Sequence, residues 1–205
     1  MFFLPEGHEL KTAKFNMPND PENKVVFSYQ QLEQKPCATI NSNLDPKVEE
    51  VRVDMADMRV ESRPVELLTS VGSCVAICLH DSINKCGGLA HIMLPNSATA
   101  LQEPLASKFA DTAVPALAKA IRQISRKETR LTAKIAGGAN MFPHLGNNTL
   151  DIGGKNVRAV KNALYKNHIR LLGEDVGGLH GRKITFNVAS GITIVRHFSG
   201  EIRTL

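Results

Sequence analysis

The sequence predicts an α+β domain with its helices packed outside sheet. At least seven short stretches alternate apolar and polar residues at period two, and two longer stretches repeat apolar residues every three or four positions. A chain of 205 residues buries one good core, with room for an appendage but hardly for two full domains.

Residues 1–48 read as an N-terminal extension, an arm that is mobile in part, rich in Pro, Asn, Lys, Glu and Gln, with one strand over 24–29. The domain proper occupies 49–205. Val51, Val53 and Met55 alternate with polar partners, and residues 65–70 form a strand leading to a cysteine. Val75, Ile77 and Leu79 alternate with Ala76, Cys78 and His80; Leu89, His91 and Met93 alternate with Ala90, Ile92 and Leu94. Asp81-Ser82-Ile83-Asn84-Lys85 between them is turn chemistry, so these two strands form a hairpin. Phe109, Ala113, Leu117, Ala120, Ile121 and Ile124 mark a helix within 107–124, where Pro115 requires a late start near Thr112 or a kink. Residues 130–136 are a strand ending in the Gly137-Gly138 loop. Val157, Val160 and Leu164 share a helix face over 156–168, entered through Asp151-Ile152-Gly153-Gly154. A strand over 169–172 runs into a glycine-rich loop over 173–182, and strands 184–188 and 192–196 flank Ala189-Ser190-Gly191 as a hairpin.

Composition narrows the function classes. Hydrophobic content of 42% and charged content of 22% are ordinary for a soluble globular protein, and no apolar run is long enough for membrane insertion. The start, Met1-Phe2-Phe3-Leu4-Pro5-Glu6, lacks the basic flank and sustained apolar region of a secretory signal, so the expected location is cytoplasmic. The net charge of +5 comes from scattered basic residues without aromatic interleaving, which argues against nucleic acid as partner. Four cysteines, Cys37, Cys74, Cys78 and Cys86, are read as reduced thiols, because Cys74 and Cys78 share a strand and nothing indicates export.

Cys74 and His91 are the candidate chemistry. A thiol acts as a nucleophile only as thiolate, and an imidazole across a short turn is a suitable base. The register decides whether they meet. Pairing Cys74 with His91 sets them opposite, pairing Cys74 with Met93 makes them diagonal neighbours on one face, and a shift of one residue separates them. Taken alone, a cysteine on such a strand is most often a small buried hydrophobe, and a histidine like His91 more often a satisfied core residue. Asp111 reads as a helix cap. Zinc on Cys74, Cys78, Cys86 and His91 has the right ligand types, but two of them lie along a strand rather than in a knuckle loop, so no metal and no cofactor is expected.

Six motifs in order carry a resemblance: Gly72-Ser73-Cys74-Val75-Ala76; Gly87-Gly88-Leu89-Ala90-His91-Ile92-Met93-Leu94-Pro95; Ala110-Asp111; Lys134-Ile135-Ala136-Gly137-Gly138-Ala139-Asn140-Met141-Phe142; Ile152-Gly153-Gly154-Lys155-Asn156-Val157; and Glu174-Asp175-Val176-Gly177-Gly178. Together, over about residues 50–198, they resemble the chemoreceptor glutamine deamidases of the CheD family. The resemblance implies a cytoplasmic amide hydrolase that converts receptor glutamines to glutamates. It also implies an α-β-β-α layered sandwich like that of toxin deamidases of the cytotoxic necrotizing factor type.

By the same resemblance Cys74 is the nucleophile, His91 the base and Thr69 the third site residue. The partners it implies are the cytoplasmic helices of chemoreceptors and a CheC-type phosphatase; a non-catalytic module binding either one is the alternative. The amides of Ser73 and Cys74, with the Gly137-Gly138 loop second, are the candidate oxyanion donors. Two departures stand out. Lys155 replaces the arginine of an Ile-Gly-x-Arg-Asn motif, keeping charge without the guanidinium fork. Val53-Asp54-Met55-Ala56-Asp57-Met58 stands where family members often show a strand like Val-Gly-Met-Gly-Glu-Tyr, so the substrate-facing edge is expected to differ.

Overall fold

A computed structural model describes residues 48–100, 105–141 and 151–205, which fall within one compact unit, Leu44–Leu205. The arm over 1–48 and its strand at 24–29 lie outside the described residues, save Val48. Strands β1 (Glu49–Arg52), β3 (Val65–Val71), β8 (Arg182–Asn187), β9 (Thr193–His197) and β10 (Ile202–Thr204) form one five-stranded sheet in that spatial order. The second sheet has the order β2 (Met58–Glu61), β5 (Cys86–Ile92), β4 (Val75–Asp81), β6 (Leu131–Gly137) and β7 (Arg170–Val176). Pairing is antiparallel except for β1 with β3 and β6 with β7, the latter reached through helix α2 (Ile152–Lys166).

The period-two pattern separates two cores. Val75, Ile77 and Leu79 of β4, with Ala90 and Ile92 of β5, pack against α2 and helix α1 (Ala110–Ile124). Their alternates, Ala76, Cys78 and Leu89, face the other sheet and meet Leu67, Val71, Ile184 and Phe186. The mixed α+β class therefore stands, with two sheets and two helices. Both helices cover the same sheet, and no helix covers the outer face of the first sheet among the described residues. No helix among them is long and apolar enough to cross a membrane.

Several elements depart from the sequence expectations. Helix α1 starts at Ala110 and carries Pro115 within it; the hydrogen bond forfeited there is outweighed by burial of Ala113, Val114, Leu117, Ala118 and Ile121. Asp111 caps nothing: its carboxylate accepts from the N–H and hydroxyl of Ser97, tying the preceding 3-10 turn to the helix. Helix α2 begins at Ile152 with Asp151 as N-cap, accepting from the Gly154 amide at 2.8 Å. Its early glycine has a packing reason, since a Cβ on Gly153 would lie 2.5 Å from the Gly138 carbonyl oxygen. Gly173-Glu174-Asp175-Val176 belongs to β7 rather than to a loop, paired along β6, and β10 was not anticipated. The strand expected through Met55 stops at Arg52, and the chain turns over 54–57 with the Asp57 amide bonded to the Asp54 carbonyl.

Candidate active site

Between the end of β3 and the start of β4 the chain leaves one sheet and enters the other, and Gly72-Ser73-Cys74 is that crossing. Several backbone bonds hold it. The Ala139 amide donates to the Gly72 carbonyl at 2.8 Å and the Gly138 amide to the Cys74 carbonyl at 2.7 Å. Gly137 has φ +123°, and a Cβ there would lie 2.2 Å from the Cys74 oxygen, so only glycine lets β6 approach this closely. The Gly138 N–H is thus committed to the Cys74 carbonyl, and the loop braces the crossing.

The register resolves the pairing left open by the sequence. Val75 pairs with Ile92 and Ala76 with His91, so continuing one residue sets Cys74 against Met93 and makes Cys74 and His91 diagonal neighbours. Cys74 packs against the inter-sheet core alongside Ala76 and Cys78, the side on which His91 also lies. Thr69 comes from the other sheet. Its hydroxyl lies 2.8 Å from the Val53 carbonyl and 2.8 Å from His91 Nδ1. A carbonyl can only accept, so the single hydroxyl proton goes to Val53 and the threonine oxygen accepts from Nδ1–H. That fixes the neutral tautomer and leaves Nε2 with a bare lone pair. His91 Nε2 is buried without a hydrogen-bond partner, and the residue is 3% exposed. The backbone around His91 is fixed as well, its N–H donating to the Asp57 carbonyl and its carbonyl accepting from Ala56.

Electrostatics favour neutral groups at rest. Burial pushes the Cys74 thiol above its ordinary value, opposed by its own backbone N–H. Burial likewise lowers the His91 imidazole, opposed by the Asp54 charge. Cys74 is half-buried, whereas Cys78 is buried and pushed up to about 12. Cys86 lies in the helix-side core with its sulfur 3.5 Å from the Ser125 hydroxyl. Cys86 and the inter-sheet Cys74 and Cys78 thus lie on opposite faces of one sheet, and the described residues contain no group of three His, Cys, Asp or Glu placed to hold a metal. A cavity of about 300 Å³ beside Glu50, Arg52, Leu68, Ser70 and Lys183 shares only Thr69 with this constellation.

The sequence reading passed over one residue. Asn156 is fully buried in α2 and its Nδ2 donates to the Ser73 carbonyl at 3.0 Å and the Met93 carbonyl at 2.9 Å. Its signal was an asparagine in register with Val160, Ala163 and Leu164 on the buried helix stripe.

Comparison with known proteins gives the family. The profile described as CheD chemotactic sensory transduction matches residues 93–197. A probable chemoreceptor glutamine deamidase CheD of Desulforamulus reducens is 40% identical over 158 residues, covering 76% of this chain and 95% of the relative. One from Methanococcus maripaludis strain C6 is 42% identical over 155 residues, covering 76% of this chain and 99% of the relative. The chemoreceptor glutamine deamidase CheD of Thermotoga maritima is 41% identical over 149 residues, covering 72% and 92%. With matches spanning nearly the whole of these relatives and the Thr69, Cys74 and His91 side chains all turned to one face between the sheets, the chain belongs to the CheD family.

Proposed function

We propose that this chain deamidates glutamine side chains on the cytoplasmic helices of chemoreceptors, releasing ammonia and leaving glutamate. The substrate class rests on the relatives, which bear the name chemoreceptor glutamine deamidase. The chemistry rests on one observation: a bare, buried His91 Nε2 on the face shared with a half-buried thiol. Nε2 takes the Cys74 proton as the sulfur attacks the amide carbon, and the amides of Ser73 and Cys74 receive the developing oxyanion. His91 then delivers that proton to the leaving nitrogen, ammonia departs, and a thioester remains. Water, losing one proton to the same Nε2, attacks the thioester; collapse returns that proton to sulfur and frees the carboxylic acid, which ionises to glutamate as the released ammonia becomes ammonium. Thr69 keeps Nδ1–H in place throughout, so Nε2 is always the nitrogen facing the reaction.

The test is mass spectrometry of a receptor cytoplasmic fragment incubated with the chain. A gain of about one dalton at defined glutamines, with ammonia release, is expected from amide hydrolysis. Cys74→Ala should abolish both while leaving the thermal melt unchanged; deamidation by that variant would remove the nucleophile assignment. A CheC-type phosphatase is a second cytoplasmic partner in this reading, tested by co-purification with the Cys74→Ala chain.

A further inference from the structure

We propose that Asn156 is a positioning residue that fixes the Ser73–Cys74 peptide and so aims the Cys74 amide N–H at the reacting centre. The inference rests on the deamidase reading above for its kinetic consequence, and on geometry for its structural one. Both hydrogens of the Asn156 amide are used on carbonyls, one immediately before the nucleophile and one two residues after His91. The orientation is forced, because a flipped amide would set its oxygen against two carbonyl oxygens. The remaining oxygen, Oδ1, is buried without a partner. Such a group is a poor choice for stability alone, since an unpaired buried oxygen carries a desolvation penalty. What it accomplishes is a tie between the chain bearing the thiol and the strand bearing the base.

The peptide plane converts this tie into an aim. No described peptide bond is cis, and in a planar trans peptide the carbonyl and the following N–H point in opposite directions. Helix α2 packs on the helix side of the second sheet, so a Ser73 carbonyl held by Asn156 turns the Cys74 N–H away from that helix. It then points toward the inter-sheet side, where Thr69 and His91 lie. An amide donor beside the attacking sulfur is where an oxyanion forms.

In the 205-residue chain, Asn156→Ala is compared with Val160→Ala, which loosens the same helix at a fully buried position without touching either carbonyl. For deamidation of a receptor fragment, Asn156→Ala should lower kcat about a hundredfold with KM within about twofold, while Val160→Ala stays near wild type. The pH profile of Cys74 alkylation by iodoacetamide should move to higher pH in Asn156→Ala alone, because the thiolate loses its aligned N–H. Wild-type kcat and profile in Asn156→Ala, or equal changes in both variants, would overturn the proposal. Alkylation needs no substrate, so a wild-type chain that fails to deamidate yet shows the Asn156→Ala shift removes the deamidase reading and leaves the positioning role standing. Should Asn156→Ala not fold, the wild type still decides. Both Asn156 side-chain amide protons must be protected from solvent exchange in nitrogen-15 NMR, and rapid exchange of either overturns the tie.

Discussion

Thr69 and His91, carried by different sheets, share a 2.8 Å hydrogen bond whose donor is the imidazole, because the threonine proton is already given to Val53. The bond orients the imidazole without supplying a charge. Removing it by Thr69→Val leaves Nδ1–H unpaired in a buried place and frees the ring to change tautomer. The deamidation rate should fall about ten- to hundredfold, with Thr69→Ser within a few-fold of wild type. A fully active Thr69→Val chain would assign the threonine to packing alone.

The resting thiol and imidazole are both expected to be neutral, since burial raises the first and lowers the second. Alkylation of Cys74 should therefore rise along a single limb toward alkaline pH. A reactive plateau below neutrality would instead mean a preformed thiolate and imidazolium pair. Peptide mapping of the folded chain should show label on Cys74 and none on Cys78 or Cys86 until denaturant is added.

How far the sequence alone reached can be judged at particular residues. Period two in Val75-Ala76-Ile77-Cys78-Leu79 correctly separates the two cores, because a strand between two apolar layers must alternate its side chains. The Cys74 to His91 pairing stayed ambiguous because turn length does not fix a register when the turn residues are ordinary. Thr69 was reached only through the family resemblance. Its partner lies in the other sheet, and no local spacing encodes a contact between sheets. Asn156 was hidden for the same reason, its two acceptors being backbone atoms far away in sequence. Glycine is an ambiguous signal: Gly173 reads as loop but lies in β7, and Gly153, placed at a helix entry, also marks a close approach to the Gly138 carbonyl.

Stability should fall on acidification through the histidines. Burial lowers the pKa of both His91 and His80 in the folded chain. Below about pH 6.5 the unfolded chain takes up protons that the folded chain refuses until lower pH, so the unfolded state binds more and stability drops across that window. Above it the contribution is fully present. Urea unfolding between about pH 5 and pH 8 should show this slope, and His91→Gln should flatten it. An unchanged slope in that variant would mean His91 is not held neutral by the fold.

Ala56 adopts φ 60°, a left-handed conformation that an alanine side chain resists. It is kept there because its N–H bonds the His91 carbonyl at 3.1 Å and its own carbonyl accepts from the Ser107 hydroxyl. The motif that resembles this stretch has glycine at the position. Ala56→Gly should relieve the strain and, after the added freedom of the unfolded chain is subtracted, stabilise by about 0.5–1 kcal/mol. Loss of stability in that variant would show that the methyl group packs better than the backbone suffers.

Arg182, the first residue of β8, ties the first sheet to the end of β7 in the second. Its guanidinium, 1% exposed, donates to both the carbonyl and the carboxylate of Asp175 and to the Gly177 carbonyl. The other carboxylate oxygen accepts from His197 Nε2 at 2.9 Å, with Arg203 at 3.6 Å. Arg182→Leu leaves Asp175, 4% exposed, with a buried charge that these two outer groups only partly balance. The loss should be about 3–5 kcal/mol. Adding Asp175→Asn to Arg182→Leu removes the uncompensated charge, so the double variant should unfold at higher urea than Arg182→Leu alone. Were the two losses simply additive, the pair would not be coupled, and the guanidinium would act through its bonds to the carbonyls of Asp175 and Gly177 instead.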